Sequence, residues 1–237
     1  MKNLIIIPTY NEIENIEKLL ATIWSFVPDI NLLIVDDNSP DGTGEYIKQL
    51  SNKDSRVHII QRSGKMGLGS AYKEGFRYAI DKGYDYIFEM DADFSHSPAE
   101  LPKFIEKMKE YDLVIGSRYA TGISVINWPL SRLILSSFAN IYARKMTGVP
   151  IKDLTAGFKC YSRKVLENLP LNRIKSDGYG FQIETVFWAY RKKFRLYELP
   201  IIFMDRAQGT SKMSKKIVWE AFWIVLKLRL LLILNPK

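Results

Sequence analysis

The acidic segment Asp91-Ala92-Asp93 carries the clearest chemistry in this sequence, because it places two carboxylates directly after the short apolar run Tyr86–Met90. Two close carboxylates repel each other and are most stable with a divalent cation between them. Mg²⁺ is typically bound by one or two carboxylates together with substrate phosphate oxygens. The segment therefore predicts a Mg²⁺ or Mn²⁺ site that receives a diphosphate, the alternative being a solvated acidic turn.

Two further segments could bind a nucleotide attached to such a diphosphate. Asp36 and Asp37 follow the apolar run Leu32–Val35, where an acid can accept hydrogen bonds from a base or a ribose hydroxyl. A basic loop with Lys65 and Gly67 leads into a predicted helix. Its glycines permit close backbone approach, and its cations can contact a phosphate or a base. We expect ligand contact from Asp36 or Asp37, with the neighbouring serine and threonine as turn and capping residues.

Two arginines supply the opposite charge. Arg118 follows the apolar run Leu113–Ile115, and Arg132 interrupts an otherwise apolar helix predicted over Leu130–Ala143. A planar guanidinium binds phosphate through two parallel hydrogen bonds, so both side chains are predicted to bind a phosphate group. The alternatives are a surface ion pair for Arg118 and, for Arg132, a side chain that extends past apolar neighbours to water.

An alternating pattern of strands and helices must position these side chains. Five apolar runs predict strands: Leu4–Ile7, Leu32–Val35, Val57–Ile60, Tyr86–Met90 and Leu113–Ile115. Stretches of helical periodicity lie between the runs, so we predict an α/β fold with a mostly parallel sheet flanked by helices. Ligands of such sheets bind at the carboxyl ends of the strands, where the polar segments lie. A helix is predicted over Phe181–Tyr190 and a strand over Leu199–Met204.

Length and composition fit one α/β domain. The chain has 237 residues, enough to bury a core without help from disulfides, and Cys160 is its one cysteine. The apolar run at the N-terminus is too short for a secretion signal, so a cytoplasmic location is expected. The net charge of +8 comes with neither zinc-finger spacing nor an RNA-recognition signature, which argues against nucleic acid as a partner.

The C-terminal segment Ile217–Leu234 is the most apolar stretch, and it follows Lys212, Lys215 and Lys216. Its three charged residues make it a marginal membrane-spanning helix. Tryptophans behind a lysine cluster suit an amphipathic helix that lies in the interface of an anionic membrane. The alternative is a core helix packed on the domain. We therefore expect an α/β domain over residues 1–212 and an interfacial helix over residues 213–237.

Six segments in this order resemble glycosyltransferase family 2: Pro8–Glu12, Asp36–Ser39, Lys65–Gly69, Asp91–Pro98, Gly116–Tyr119 and Asp153–Phe158. Within that family the sequence is most similar to dolichyl- or polyprenyl-phosphate mannose synthases, and the resemblance runs from about residue 3 to residue 216. Any one segment is weak, whereas six in register are specific. The resemblance implies a GT-A (Rossmann-like) fold, GDP-mannose as the donor and a polyprenyl (dolichyl) phosphate as the acceptor.

The resemblance also implies roles for single residues. Asp91 and Asp93 bind the metal, and Ser95 stands where some relatives have a glutamine as third ligand, so water is expected to complete the shell. Pro8, Tyr10, Glu12 and Asp37 are expected at the guanosine, Arg206 and Lys212 at the donor diphosphate, and Arg118, Arg132 and Ser136 at the acceptor phosphate. With the segments above, the donor-site candidates are Pro8, Tyr10, Glu12, Asp36, Asp37, Lys65, Gly67, Asp91, Ala92, Asp93, Arg206 and Lys212.

Such an acceptor is already an anion, so its transfer needs no general base. Alignment and charge neutralisation by Asp91, Asp93, Arg118 and Arg132 are expected to supply the catalysis, with inversion at the anomeric carbon. A peripheral location on the cytoplasmic face of a membrane follows, with the C-terminal helix or a membrane-anchoring partner subunit as the attachment. Two alternatives stay open: a family 2 transferase that uses UDP-glucose, a UDP-N-acetylhexosamine or a glycan acceptor, and a catalytically silent lipid- or nucleotide-binding protein.

Overall fold

A computed structural model of the chain describes residues 1–204 and 215–234. The strands are β1 (Asn3–Thr9), β2 (Asn31–Asp36), β3 (Val57–Gln61), β4 (Tyr86–Glu89), β5 (Leu113–Ser117), β6 (Val125–Ile126), β7 (Lys159–Ser162), β8 (Leu196–Pro200) and β9 (Phe203–Met204). The helices are α1 (Ile13–Phe26), α2 (Thr43–Ser51), α3 (Leu68–Asp81), α4 (Leu101–Lys107), α5 (Leu130–Thr147), α6 (Arg163–Asn168), α7 (Gly178–Arg191) and α8 (Lys215–Leu234).

Seven strands form one sheet in the order β3-β2-β1-β4-β7-β5-β8, and β7 alone of these runs antiparallel to its neighbours. The five predicted strands and the mostly parallel sheet are confirmed. Leu4 and Ile6 of β1 belong to one core cluster, whereas Ile5 and Ile7 belong to the other. Because helices cover both faces of the sheet, its inner strands are continuous apolar runs without polar alternation.

The sheet edge at which β1, β2, β4 and β5 end is the place for a ligand. The chain proceeds outward from β1 through β2 to β3, then returns to the other side of β1 with β4. The loops that follow β1 and β4 therefore diverge, and a crevice opens between them at the carboxyl ends of the strands. The segments after Thr9 and Glu89 border this crevice.

The predicted strand Leu199–Met204 is wrong in its extent. β8 ends at Pro200, and residues 203–204 form β9, which pairs with β6 in a separate two-stranded sheet. The neighbouring strand β5 ends at Ser117, whose register partner is Pro200. Because no strand of the main sheet continues beside the residues after Pro200, the chain turns to β6 instead.

The C-terminal helix α8 packs on the domain through Val225 and Leu228, which are fully buried against α5 and α7. On its other side Trp219, Trp223 and Leu230 are more than half exposed. No helix in the described parts of the chain combines the length and the apolar composition needed to cross a membrane. The boundary expected at residue 212 lies outside the described residues, so the two-part division stays a prediction.

Helix α3 can pack against β1 only because position 75 has no side chain. A Cβ at Gly75 would lie 2.7 Å from Cγ2 of Ile6. We expect Gly75→Ala to lower the free energy of unfolding by about 1–3 kcal/mol, because the helix must shift away from the strand. Urea denaturation followed by circular dichroism measures this change. Gly64→Ala is the control, since nothing lies within 4 Å of a Cβ there; an equal loss in both variants would contradict the packing argument.

Candidate active site

The acidic segment lies in the loop that leaves β4 and is held by its own backbone. The Ser95 N–H donates to Oδ1 of Asp93 at 3.0 Å. Phe94 between them has a φ of 61°, a left-handed conformation that folds the loop back on itself. Ala92 and Ser95 are buried, while Asp91 and Asp93 are partly exposed. The two carboxylates therefore remain partly exposed on a tightly folded turn.

His96 holds this turn in place through a hydrogen bond to its backbone. It is buried and stacked on Phe158, and its Nδ1 accepts a hydrogen bond from the Asp91 N–H at 3.1 Å. Burial lowers the pKa of His96, although Asp91 and Asp93 oppose that shift. Because Nδ1 accepts this hydrogen bond, the ring carries its proton on Nε2, which lies 3.9 Å from Oδ2 of Asp91. The structure thus makes His96 a direct support of the Asp91 backbone.

The donor set of the turn fits a hard cation. Within the described residues, no three His, Cys, Asp or Glu side chains gather in a group that could hold a metal. The turn itself carries two carboxylates, those of Asp91 and Asp93. Mg²⁺ retains several waters and takes one or two carboxylates plus phosphate oxygens, so this set suits it. Ser95 lies beside Asp93 but is itself buried.

A buried ion pair lies under the acidic turn. Oε2 of Glu89, the last residue of β4, is 3.6 Å from Nζ of Lys159, and both side chains are fully buried. Tyr161 donates to Oε1 of Glu89 at 3.2 Å, and Lys159 donates to the side chain of Gln182. Burial raises the pKa of Glu89 and lowers that of Lys159, and each charge opposes the shift in the other. The pair joins β4 to the antiparallel β7 just before Asp91.

The two acids after β2 differ in what they contact. Asp36 is buried and accepts hydrogen bonds from Thr9 Oγ1 at 2.8 Å and from the N–H and hydroxyl of Ser39. Asp37 keeps part of its side chain exposed, and its Oδ1 lies 3.1 Å from Nη1 of Arg62. Burial raises the pKa of Asp37, and Arg62 opposes this shift. Asp36 thus holds the loops together, and Asp37 is the acid that a ligand can reach.

The loop before α3 approaches the end of β1. Nζ of Lys65 lies 3.6 Å from the centre of the Tyr10 ring. Glu12 precedes α1, and its N–H donates to Thr43 Oγ1 at 3.1 Å. Pro8 lies within β1 beside β2, and Gly67 has a φ of 93°. The structure thus brings these nucleotide-site candidates to one edge of the sheet, whereas Arg206 and Lys212 lie outside the described residues.

Arg118 forms a buried ion pair that the sequence did not predict. Its Nε and Nη2 donate to the two oxygens of Asp153 at 2.7 and 2.6 Å, and Nη2 also donates to Thr155 at 2.8 Å. Burial alone would lower the pKa of Arg118, but the Asp153 carboxylate outweighs it and raises that pKa. The bidentate contact expected for a phosphate is made to Asp153 instead, and among the described residues no hydrogen bond uses Nη1. The sequence signal was the acid that opens the segment Asp153–Phe158.

Trp128 joins the two arginines. The guanidinium carbon of Arg132 lies 4.2 Å from the centre of the indole ring, and that of Arg118 lies 5.4 Å from it. Tyr119, which follows Arg118, donates its hydroxyl proton to Ser136 Oγ at 2.8 Å. The three predicted phosphate ligands therefore form one cluster. Sequence reasoning missed Trp128, although an aromatic residue four positions before a predicted functional arginine was a usable signal.

Phe203 connects this arginine cluster to the acidic turn. Its ring centre lies 5.7 Å from the ring of His96 and 5.5 Å from that of Trp128. The guanidinium carbon of Arg118 is 5.7 Å from the same ring. Anionic and cationic groups thus face one crevice across a short aromatic wall, an arrangement suited to holding two phosphate-bearing reactants side by side.

Comparison with known proteins agrees with this geometry. Residues 4–170 match the family described as Glycosyl transferase family 2. The chain is 45% identical over 221 residues to the undecaprenyl-phosphate mannosyltransferase of Micrococcus luteus, covering 93% of this chain and 91% of that protein. It is also 45% identical over 226 residues to the polyprenol monophosphomannose synthase of Mycolicibacterium smegmatis, covering 94% and 85%. The chain therefore belongs to glycosyltransferase family 2.

Solved structures confirm the fold. Glucosyl-3-phosphoglycerate synthase from Mycobacterium tuberculosis in complex with phosphoglyceric acid superposes with a TM-score of 0.70 at 16% identity, covering 96% of this chain and 79% of that one. The same enzyme in complex with Mn²⁺, UDP-glucose and phosphoglyceric acid gives a TM-score of 0.68 at 16% identity, with the same coverage. At this identity the likeness shows the architecture alone, which is the GT-A fold that the sequence predicted.

Asp153 is the counter-charge that a buried Arg118 requires. We expect Asp153→Asn to lower the free energy of unfolding by about 3 kcal/mol, because it leaves a desolvated guanidinium without its anion. Urea denaturation measures the loss. Asp54→Asn is the matched control, since Asp54 also pairs with an arginine but this pair is partly exposed and should contribute less than about 1 kcal/mol. Similar losses in the two variants would contradict the buried pair's role.

Proposed function

We propose that this protein transfers mannose from GDP-mannose to a polyprenyl phosphate, with inversion at the anomeric carbon and with the help of Mg²⁺ or Mn²⁺. The observation that carries the proposal is the position of Phe203, whose ring lies against His96 of the acidic turn and against Trp128 and Arg118 of the arginine cluster. Support for mannose and for a polyprenyl phosphate comes from relatives 45% identical over nearly the whole chain, whose names state those substrates.

On the donor side, Asp37 and Tyr10 would contact the guanosine, and Lys65 would lie near its phosphates. Asp91 and Asp93 would hold the cation, which, when bound, neutralises the charge that develops on the departing diphosphate. His96 keeps Asp91 in place through its backbone N–H.

On the acceptor side, Arg132 and the free end of Arg118 would bind the phosphate of the lipid, with Ser136 beside them. A phosphate monoester is a nucleophile at neutral pH, so the crevice needs no general base at the attacking oxygen. The two arginines lower the repulsion between acceptor phosphate and donor diphosphate, and fix the attacking oxygen relative to the sugar. Arg118 suits this task because Asp153 already holds it in place, so less side-chain entropy is lost on binding.

Exposed apolar side chains beside the arginine cluster support a membrane-bound acceptor. Leu130, Ile134, Phe138 and Ile141 form one exposed row along α5, the helix that also carries Arg132 and Ser136. The exposed Trp219 and Trp223 of α8 extend this surface, since Tyr142 of α5 stacks on Phe222 of α8 at 5.3 Å. Exposed apolar surface of this extent marks a contact with a partner or membrane.

We propose that this α5–α8 surface rests on the cytoplasmic face of an anionic membrane, with tryptophans at the interface. Residues 213–237 would then act as the interfacial segment, directly or with an anchoring subunit. A phosphate bound at Arg132 and Ser136 would have its lipid chain pointing along α5 toward the bilayer.

A donor screen tests the proposal. The full chain is incubated with Mn²⁺, a short polyprenyl phosphate and, in turn, GDP-mannose, UDP-glucose or UDP-N-acetylglucosamine. We expect GDP release and a β-linked mannosyl phosphodiester with GDP-mannose alone, and loss of both on chelation of the metal. Transfer from a uridine nucleotide instead would replace the donor assignment, and binding without transfer would leave a silent binding protein.

Arg132 separates acceptor binding from donor binding. We expect Arg132→Ala to lower transfer to polyprenyl phosphate at least about 100-fold, because removal of a charged ligand of a transition-state group costs about 3 kcal/mol. The affinity for GDP, measured by calorimetry, should stay unchanged. Arg144→Ala, on the last turn of the same helix, is the control and should keep full transfer. Normal transfer by Arg132→Ala would disprove the assignment.

Phe138, of which 69% is exposed, tests the membrane face. We expect Phe138→Asp to weaken binding to vesicles of phosphatidylglycerol and phosphatidylcholine about tenfold or more. In the membrane-bound protein, the substitution would place a charge in the bilayer where the aromatic ring had been. Vesicle co-sedimentation measures the effect. Phe26→Asp is the control, because Phe26 is also exposed but ends α1; equal binding by wild type and Phe138→Asp would place the membrane elsewhere.

A further inference from the structure

Asp177 occupies the N-cap position of α7, but its side chain caps a different helix. Within the described part of the chain, its side chain makes no capping hydrogen bond to α7. Its Oδ1 instead accepts a hydrogen bond from the N–H of Gly69, in the first turn of α3. The cap position of α3 is Gly67, which has no side chain to offer. Asp177 therefore caps a helix that lies far away in the sequence.

The glycines before and within α3 make this contact possible. A Cβ at Gly67 would overlap Oδ2 of Asp177, and a Cβ at Gly69 would lie 2.8 Å from the Ser176 carbonyl oxygen. The glycine spacing of the basic loop thus has a tertiary cause: it lets residues 176–177 lie directly against the first turn of α3.

Helix α8 holds Asp177 from the other side. The Asp177 N–H donates to Oε1 of Glu220 at 2.7 Å. A third contact fixes the same segment, since Nζ of Lys73 in α3 donates to the Ile174 carbonyl at 3.0 Å. Residues 174–177 are therefore clamped between α3 and the C-terminal helix.

The first turn of α3 is also hydrogen-bonded to the loop that precedes it. The buried Arg62 donates to the Gly67 carbonyl at 3.3 Å and to the hydroxyl of Ser70, while its Nη1 lies 3.1 Å from Asp37. The same loop carries Lys65 over the Tyr10 ring. Any shift of Gly67 therefore moves the partners of Asp37 and Tyr10 together.

We propose that Asp177 is a positioning residue for the donor nucleotide, and that α8 holds it in place through Glu220. This inference rests on the proposed function, in which residues 62–67 contact the donor nucleotide. It makes the C-terminal helix a structural part of the donor site as well as a candidate membrane element. The contacts run from Glu220 through Asp177 to the loop beside Tyr10 and Asp37.

Calorimetry of GDP binding to the full chain with Mn²⁺ tests this inference. We expect Asp177→Ala to weaken GDP binding about tenfold, the effect of losing a helix cap that orders the binding loop. Glu220→Ala should weaken it in the same direction by a smaller factor. Asp177→Asn and Glu220→Gln keep the accepting oxygen and should stay within about threefold of wild type. The KM for polyprenyl phosphate should not change in any of these variants.

Asp112→Ala is the matched control, because Asp112 also accepts from a distant backbone N–H, that of Arg195 at 2.9 Å. It precedes β5, at the sheet edge opposite the crevice. Wild-type GDP affinity in Asp177→Ala would overturn the proposal. So would an equal weakening in Asp112→Ala, since the effect would then follow stability alone.

Amide hydrogen exchange distinguishes this inference from the proposed function. Residues 63–70 should exchange faster in Asp177→Ala than in wild type, while α1 stays unchanged. If wild type binds no GDP but this exchange accelerates, the donor assignment fails and the positioning of the loop by Asp177 is supported. Unchanged exchange over residues 63–70 would overturn the positioning role whatever the nucleotide.

Discussion

The common direction of β1, β2, β4 and β5 in the sheet is the constraint on which the candidate site depends. Helices cover both faces of the sheet and both core clusters are apolar, so a ligand can meet polar side chains only at an edge. Because parallel strands end at the same edge, the residues that follow them meet there whatever their distance in sequence. Asp37, Asp93 and Arg118 become neighbours of one crevice for this reason, and the reversal of strand order beside β1 opens it.

The antiparallel strand β7 completes the site by entering at the same edge. The segment before it carries Asp153 to Arg118 and Phe158 to His96, and its first residue, Lys159, pairs with Glu89. Buried charges are costly unless paired, and here each has its counter-ion in place. Both the acidic turn and the arginine cluster are thus held by groups buried before any substrate arrives, which is the condition for electrostatic preorganisation.

The C-terminal helix α8 unites two interpretations that the sequence treated as alternatives. Val225 and Leu228 pack into the core, as the apolar residues of an ordinary domain helix do. Trp223, 62% exposed, lies on the opposite side, where a membrane could receive it. Glu220 lies at the contact with the segment that caps α3. In the proposed function, a helix with these contacts would link membrane attachment to the order of the donor site, so its removal would affect more than location.

The sequence by itself determined five strands of the main sheet, their mostly parallel arrangement and the polar segments at their ends, because buried strands and turn residues leave a local periodic pattern. The acidic pair Asp91 and Asp93 and the two arginines could be predicted from the sequence for the same reason. Only the tertiary structure decided which groups meet: that Asp153 occupies the fork of Arg118, that Trp128 lies between the arginines, and that Asp177 caps α3. These contacts join residues distant in the chain, and their geometry depends on packing, which no local pattern encodes.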